Sequence, residues 1–295
     1  MDDNRENVPS SEEEVCKKEE RRHSIIYWLI ILGFLIFIGY CAYKSVPYFV
    51  EERAYKREIK ELKEEVGDIS EEHPAPDVAP EEYIDMPDYV VPVYSKWAET
   101  FDGLKNKNND AIGWIKINDT PIDYPVMFAP DEENKYLHLN FEGKYQYRGL
   151  PFLAENTVIG HKGDMYSQTS NYLVFGHNMN DGTSFAYIPR YLKESFGLEH
   201  NICYFNIEYE EGIYQLMGVC LTKVYTEETD EFEFYDYSGV LTIEKFREYV
   251  KWVKANSRYE TGVTADFGDQ LLTLSTCYRV HDPEGRIIAV FKKIN

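Results

Sequence analysis

Cysteine is scarce in this chain. Five occur in 295 residues, at positions 16, 41, 203, 220 and 277. They do not make a disulfide framework: Cys16 falls in a charged tail and Cys41 inside a long apolar run. Cys203 and Cys220 sit in apolar, strand-like stretches, where buried free thiols are common, so unpaired thiols are expected. Metal and nucleotide signatures are missing too. No CxxC, HExxH or phosphate-binding loop occurs, and the acidic residues lack the spacing of a calcium loop, so no metal or other cofactor is expected. Positive charge is short as well, with 31 Lys and Arg against 52 Asp and Glu, a formal net charge of −21. Phosphate binding needs a basic surface, so nucleic acid is excluded as a partner. The acidity serves solubility instead.

One long hydrophobic run is present. Residues 25–43 (IIYWLIILGFLIFIGYCAY) carry no charged side chain. At about 1.5 Å per residue, the run is just long enough to cross a hydrocarbon core of about 30 Å. Tyr27 and Trp28 at one end, with Tyr40 and Tyr43 at the other, suit the two interfaces. A cleavable signal peptide is the competing reading. Its apolar region is usually shorter, and Tyr40-Cys41-Ala42-Tyr43 offers no small-x-small site, so an uncleaved signal anchor is favoured. Lys17, Lys18, Arg21 and Arg22 precede the run, and Lys44, Arg53, Lys56 and Arg57 follow it, so the positive-inside rule is balanced. A short tail inside and a large domain outside is the orientation expected of a single anchor.

The chain then divides into a polar cytoplasmic tail (1–24), the anchor (25–43), an extracellular helix and linker (44–94), and one globular domain (95–295). In the third part Tyr55, Ile59, Leu62 and Val66 recur at helical spacing, on a helix that either packs on the domain or stands as a solvated spacer. Prolines and acids from Gly67 to Pro92 read as an extended connection. The domain opens with a helix from Trp97 to Asn106 that puts Trp97, Phe101 and Leu104 on one face. Strand-like segments follow at 112–117, 120–127, 157–159, 173–175, 213–225, 271–276 and 286–291. Many short strands and few helices predict a mainly β domain, a barrel or a sandwich. One further helix is predicted over Thr242–Ser257, with Phe246, Val250 and Val253 on its apolar face.

The chemistry concentrates at strand ends. The run Leu272-Thr273-Leu274-Ser275-Thr276-Cys277 delivers a thiol at its tip, and Tyr172-Leu173-Val174-Phe175-Gly176-His177 delivers an imidazole in the same way. Asp282-Pro283-Glu284-Gly285 is a turn signal, after which Arg286 opens the next strand. If those last two strands are antiparallel neighbours, Cys277 and Arg286 share one edge. Gly176, with no side chain, permits a bend that brings His177 to the same rim. A nucleophile, a proton carrier and a cation for an oxyanion are the parts needed to attack a peptide carbonyl. His161 is the rival base. His138, His200 and His281, in polar or mixed surroundings, read as surface histidines. Arg279 suits an exposed salt bridge in the loop.

Together, Thr273-Leu274-Ser275-Thr276-Cys277, Arg286 at a strand start, Phe175-Gly176-His177-Asn178 upstream and the N-terminal anchor resemble a sortase, and class B most closely. Gly113-Trp114-Ile115-Lys116-Ile117 and Ile122-Asp123-Tyr124-Pro125-Val126 are similar to the early strands of that class. The helix before the cysteine strand is similar to its characteristic insertion. The resemblance covers residues 95–295 and implies a closed β-barrel of about eight strands with an N-terminal helix. It departs at Tyr278, where the class often carries an acidic residue.

The resemblance further implies a membrane-anchored cysteine transpeptidase on the outer face of a Gram-positive cell. Such an enzyme cleaves a C-terminal sorting motif of secreted proteins through a thioacyl intermediate and passes them to a peptidoglycan amino group. Cys277, His177 and Arg286 would be catalytic. Asn178, Ser275, Thr276 and Tyr225 are the candidate substrate-binding residues, and residues 222–267 would wall the substrate groove. Two other readings use the same residues: an anchored thiol peptidase that hydrolyses its thioester, and a non-catalytic surface module in which Cys277 is buried.

Overall fold

The computed structural model describes residues 11–71, 96–159, 169–208, 210–225, 227, 229–280 and 282–295. Most of the expected linker, and the expected domain start at Ser95, lie outside them. Contacts divide the chain after Lys56.

Helix α1 (Ser11–Val66) starts inside the stretch read as a polar tail. Among the described residues it is the one helix long and apolar enough to cross a membrane. Its most apolar 18-residue window averages 2.4 in hydropathy, with none of it buried.

In the second unit, residues from 57 onward, the end of α1 is amphipathic and packed. Ile59, Leu62 and Val66 are buried, as is Ile69 beyond the helix. Glu58 accepts the Phe141 amide at 3.1 Å, and Lys63 lies 3.4 Å from Asp123 and over the Tyr124 ring. Of the two readings left open for this helix, packing on the domain is the one observed. Helix α2 (Lys96–Lys107) buries the expected face, Trp97, Phe101 and Leu104.

Eight strands follow: β1 (Ala111–Lys116), β2 (Asp123–Met127), β3 (Phe152–Leu153), β4 (Asn171–Phe175), β5 (Ile202–Ile207), β6 (Ile213–Lys223), β7 (Leu271–Cys277) and β8 (Gly285–Lys293). They close into a barrel in the order β1-β2-β3-β4-β7-β8-β6-β5, with β5 paired back onto β1. The mainly β closed barrel expected from the sequence is therefore the observed fold. Two strands, β3 and β5, are absent from the predicted segments, although the stretch around Cys203 in β5 read as strand-like. The reverse error is residues 157–159, which form no strand: the Val158 amide donates to the Thr169 hydroxyl rather than to a ladder.

Helix α3 (Glu194–Glu199) is short, and α4 (Ile243–Asn256) lies between β6 and β7. Thr242 caps α4 by accepting the Lys245 amide, satisfying one of the donors that a helix start leaves open. The predicted face, Phe246, Val250 and Val253, is buried together with Tyr249 against Leu173, Cys220, Leu271, Ile288 and Val290. Burying side chains of this size stabilises by about 1.5–3 kcal/mol each, enough to hold the insertion on the sheet. The opposite face of the same strands, Leu272, Leu274, Ala289 and Phe291, is also fully buried. That leaves the strand ends as the open chemistry.

Candidate active site

Strand polarity gathers the three candidate residues. Strands β4 and β7 run parallel, with Phe175 opposite Ser275, so both chains leave the sheet at one end and carry His177 and Cys277 there. Strand β8 is antiparallel to β7, and Arg286 is the register partner of Cys277. The antiparallel pairing was legible locally. The parallel pairing was not.

Side-chain bonds fix that end. The Thr276 hydroxyl donates to the Gly176 carbonyl at 2.7 Å, the Gly176 amide to the Ser275 carbonyl at 3.1 Å, and the Asn178 side-chain amide to the Cys277 carbonyl at 2.9 Å. Gly176 is needed for space rather than for a bend. A Cβ there would come within 2.6 Å of the buried Phe185 ring. Gly285 is required in the same sense, because its Cβ would meet the Tyr278 carbonyl at 2.3 Å. The Tyr278 amide in turn donates to the Gly285 carbonyl at 2.8 Å, closing the hairpin beside the thiol.

Cys277 is a free, half-buried thiol. Cys203 and Cys220 are free and buried, as expected, and burial pushes the Cys220 thiol up to about 12. The Arg286 guanidinium is mostly buried, donates to the Glu284 and Gly285 carbonyls at 3.0 and 3.1 Å, and lies 4.0 Å from the Glu284 carboxylate. His177 is bonded through Nε2 to the Leu137 carbonyl at 2.8 Å. A carbonyl only accepts, so Nε2 carries the hydrogen and the neutral ring presents Nδ1 as its basic nitrogen. Burial pushes the imidazole below its ordinary value, opposed by the Leu137 bond and reinforced by the positive charge of His138 and Arg279.

These groups line a cleft of about 970 Å³ that includes His177, Asn178, Ser275, Thr276, Cys277 and Arg286. The Ser275 hydroxyl is buried without a hydrogen-bond partner among the described residues, whereas that of Thr276 is committed to Gly176. Val224, Tyr235, Asp236 and Ser238, from the segment between β6 and β7, form part of the wall. Tyr225 is not among the lining residues. It faces a separate depression with Lys223 and Glu227.

Arg279 is exposed on the cleft and makes no ion pair among the described residues. The rival base His161, and also His281, lie outside the described residues. His200 rests on the Phe196 ring, 4.3 Å between centroids. Sequence reasoning missed Leu137, His138 and Tyr147, which come from a loop remote in sequence and reach the site only through the fold. Among the described residues no cluster of metal-ligating side chains occurs.

A thiol, an imidazole and a guanidinium on one rim of a closed β-barrel define a site suited to acyl transfer through a thioester. Comparison with known proteins gives the family. Over 186 residues the chain is 32% identical to sortase B of Listeria monocytogenes, covering 63% of this chain and 70% of that one. Over 274 residues it is 24% identical to sortase B of Staphylococcus aureus, covering 93% and 97%. The solved Staphylococcus aureus sortase B–substrate complex superposes with a TM-score of 0.58 at 25% identity, over 67% of this chain and 86% of that one. Sortase B from Bacillus anthracis shares the fold at a TM-score of 0.61 and 23% identity, over 84% and 99%. No protein-family model matches the chain. The chain belongs to the class B sortase family and is a sortase-type cysteine transpeptidase.

Proposed function

We propose that the chain is a membrane-anchored transpeptidase that cleaves a C-terminal sorting motif in secreted proteins and joins them to an amino group of the cell wall. Cys277 Sγ attacks the scissile carbonyl, and a C–S bond forms as the C–N bond breaks. His177 Nδ1 takes the thiol proton as Sγ attacks and delivers it to the departing amine, while the Nε2 hydrogen stays on the Leu137 carbonyl. An acceptor amine then attacks the thioester, loses a proton to His177, and releases the thiolate. Arg286 faces the oxygen on which charge develops at both steps, in a setting where each oxyanion donor is worth about 10²–10³ in rate. The bond from the Asn178 side-chain amide to the Cys277 carbonyl supports a role for Asn178 in holding the nucleophile's backbone.

The observation that carries this reading is the register of Cys277 against Arg286, with His177 leaving β4 at the same end of the sheet. Residues 25–43 are the proposed span, with 1–24 inside the cell, 44–94 as an extracellular stalk and 95–295 as the catalytic domain. The apolar, unburied window of α1 supports this arrangement.

The test is the full-length chain in detergent, presented with a library of peptides derived from C-terminal regions of secreted proteins. Hydroxylamine serves as a generic acceptor. Cleavage that depends on Cys277 and yields hydroxamate supports the transfer reading. Cleavage that gives only the free acid identifies a thiol peptidase, and no cleavage with an unreactive Cys277 identifies a binding module.

A further inference from the structure

The His177 ring has two nearly parallel aromatic neighbours that the reaction does not by itself require. The His138 ring lies 5.5 Å from it at 22°, and the Tyr147 ring 6.5 Å from it at 10°. His138 and Tyr147 also stack on each other, 5.8 Å apart at 16°. Three nearly parallel rings therefore meet in mutual contact. Offset stacking of this kind adds attraction beyond area burial and resists rotation of any one ring.

The loop that supplies the two partners is itself built tightly. His138 Nδ1 bonds the Tyr147 carbonyl at 3.1 Å, the Gln146 amide donates to the His138 carbonyl at 2.9 Å, and the Leu150 amide donates to the Tyr136 carbonyl at 3.0 Å. Gly149 closes the loop at φ +54°, where any Cβ would strike the Tyr136 and Leu137 carbonyls at 2.3 Å. Next to Tyr147, the buried Arg148 holds Asp181 through Nε and a terminal nitrogen, both at 2.9 Å. Asp181 belongs to the segment that leaves His177, and its other oxygen accepts from Thr183. One loop thus holds the Nε2 proton of His177 through Leu137, presses on its ring through His138 and Tyr147, and is tied through Arg148 to the chain that follows it.

We infer that the 136–150 loop is an orienting brace for His177, with His138 as its principal positioning residue. The Leu137 carbonyl selects the tautomer, and the ring faces fix the imidazole plane, so that Nδ1 stays turned to the cleft. This inference rests on the reading of His177 as the proton carrier. His138 acts through His177 and does not itself touch the reacting atoms.

The test compares His138→Leu, which removes the ring, with His138→Phe, which keeps its face, and with Tyr147→Leu, all in the full-length chain. The activity-independent readout is long-range proton–nitrogen NMR of ¹⁵N-histidine-labelled protein. Wild type and His138→Phe should show His177 as the single Nε2–H tautomer, and His138→Leu should show a mixture. With the peptide that the wild-type chain cleaves in the library, and hydroxylamine, His138→Leu should lower kcat at least about tenfold, with KM within about twofold of wild type. His138→Phe should restore kcat to within about threefold, since retained stacking is what the brace requires.

A His138→Leu chain with wild-type tautomer and kcat overturns the brace, and so does a His138→Phe chain as impaired as His138→Leu. If His138→Leu lowers the thermal midpoint, the exposed Tyr147 decides: Tyr147→Leu must loosen the His177 tautomer without lowering the midpoint, or the brace is rejected. Should the wild-type chain cleave no peptide, the transpeptidase reading fails while the NMR comparison still decides the brace.

Discussion

The wall under α4 and the rim at the strand ends are built from the same strands, yet they treat polar groups in opposite ways. Beneath α4, the Tyr249 hydroxyl meets the Thr273 hydroxyl at 2.7 Å, Thr273 donates to Asn171 at 2.9 Å, and the Cys220 thiol contacts the Val253 carbonyl at 3.5 Å. Each of these groups has a partner, and burial holds Cys220 in its neutral form. Two positions beyond Thr273 on β7 the Ser275 hydroxyl is still buried but has no partner among the described residues, and two further on the Cys277 thiol is half exposed beside Arg286. The strand end leaves the Cys277 thiol accessible from the cleft. The same residue types in mid-strand are closed by their neighbours. Position within its strand, rather than residue identity, separates the buried thiol of Cys220 from the half-exposed one of Cys277.

The sharpest way to break this contrast is to exchange the fates of the thiols. Cys277→Ala should abolish cleavage and transfer, and Cys220→Ala should leave turnover unchanged while costing stability. Measured turnover in Cys277→Ala would remove the site from the rim. Next in size, His177→Ala should lower turnover by about 10²–10⁴ and Arg286→Ala by about 10²–10³, as expected for loss of a proton carrier and of an oxyanion donor. Steady-state rates within tenfold of wild type for either variant would remove that residue from the machinery.

Within the wall, Tyr249→Phe should cost about 1 kcal/mol in denaturant unfolding, the worth of a typical buried hydrogen bond, and leave kcat untouched. A change in kcat instead would couple the two regions. Smallest is Arg279→Ala, whose turnover should stay near wild type, with the His177 imidazole moving up towards its ordinary value of 6.5. The linkage has a definite sign. The folded chain holds His177 below that value, so the unfolded chain takes up the proton first as the pH falls, and stability is lost below about pH 6.5. Stability curves against pH for wild type and Arg279→Ala should differ in that acidic window, and coincident curves would show that Arg279 does not act on the imidazole.

What could be read in the sequence was what is local. The β7–turn–β8 hairpin announces itself through alternation, Asp282-Pro283-Glu284-Gly285 and an arginine, and its register follows from the turn. The apolar face of α4 and the burial of α2 were legible from spacing alone. Strand β3 has two residues and no period to detect. In β5, Cys203, Phe205 and Ile207 form the buried face, but Ile202 and Tyr204 on the other face are apolar and half-buried, so the residue types do not show the alternation. The parallel pairing of β4 with β7, and the stacking of His138 on His177, join segments far apart in sequence, and no window reveals them. For that reason His138 read as an ordinary surface histidine, and Gly176 as a hinge rather than a space for Phe185.

The parallel contact between Asn171–Phe175 and Leu271–Ser275 also bears on how the chain acquires its reactivity over time. Closing it requires nearly the whole second half of the domain to be looped out, and pairings of such high sequence separation form slowly. The hairpin that seats Cys277 beside Arg286 can form from local contacts alone. Imidazole and thiol meet only at the late, long-range step. Until then the chain carries Cys277 apart from His177, and under the proposed mechanism the thiol gains its proton carrier only on completion of the barrel.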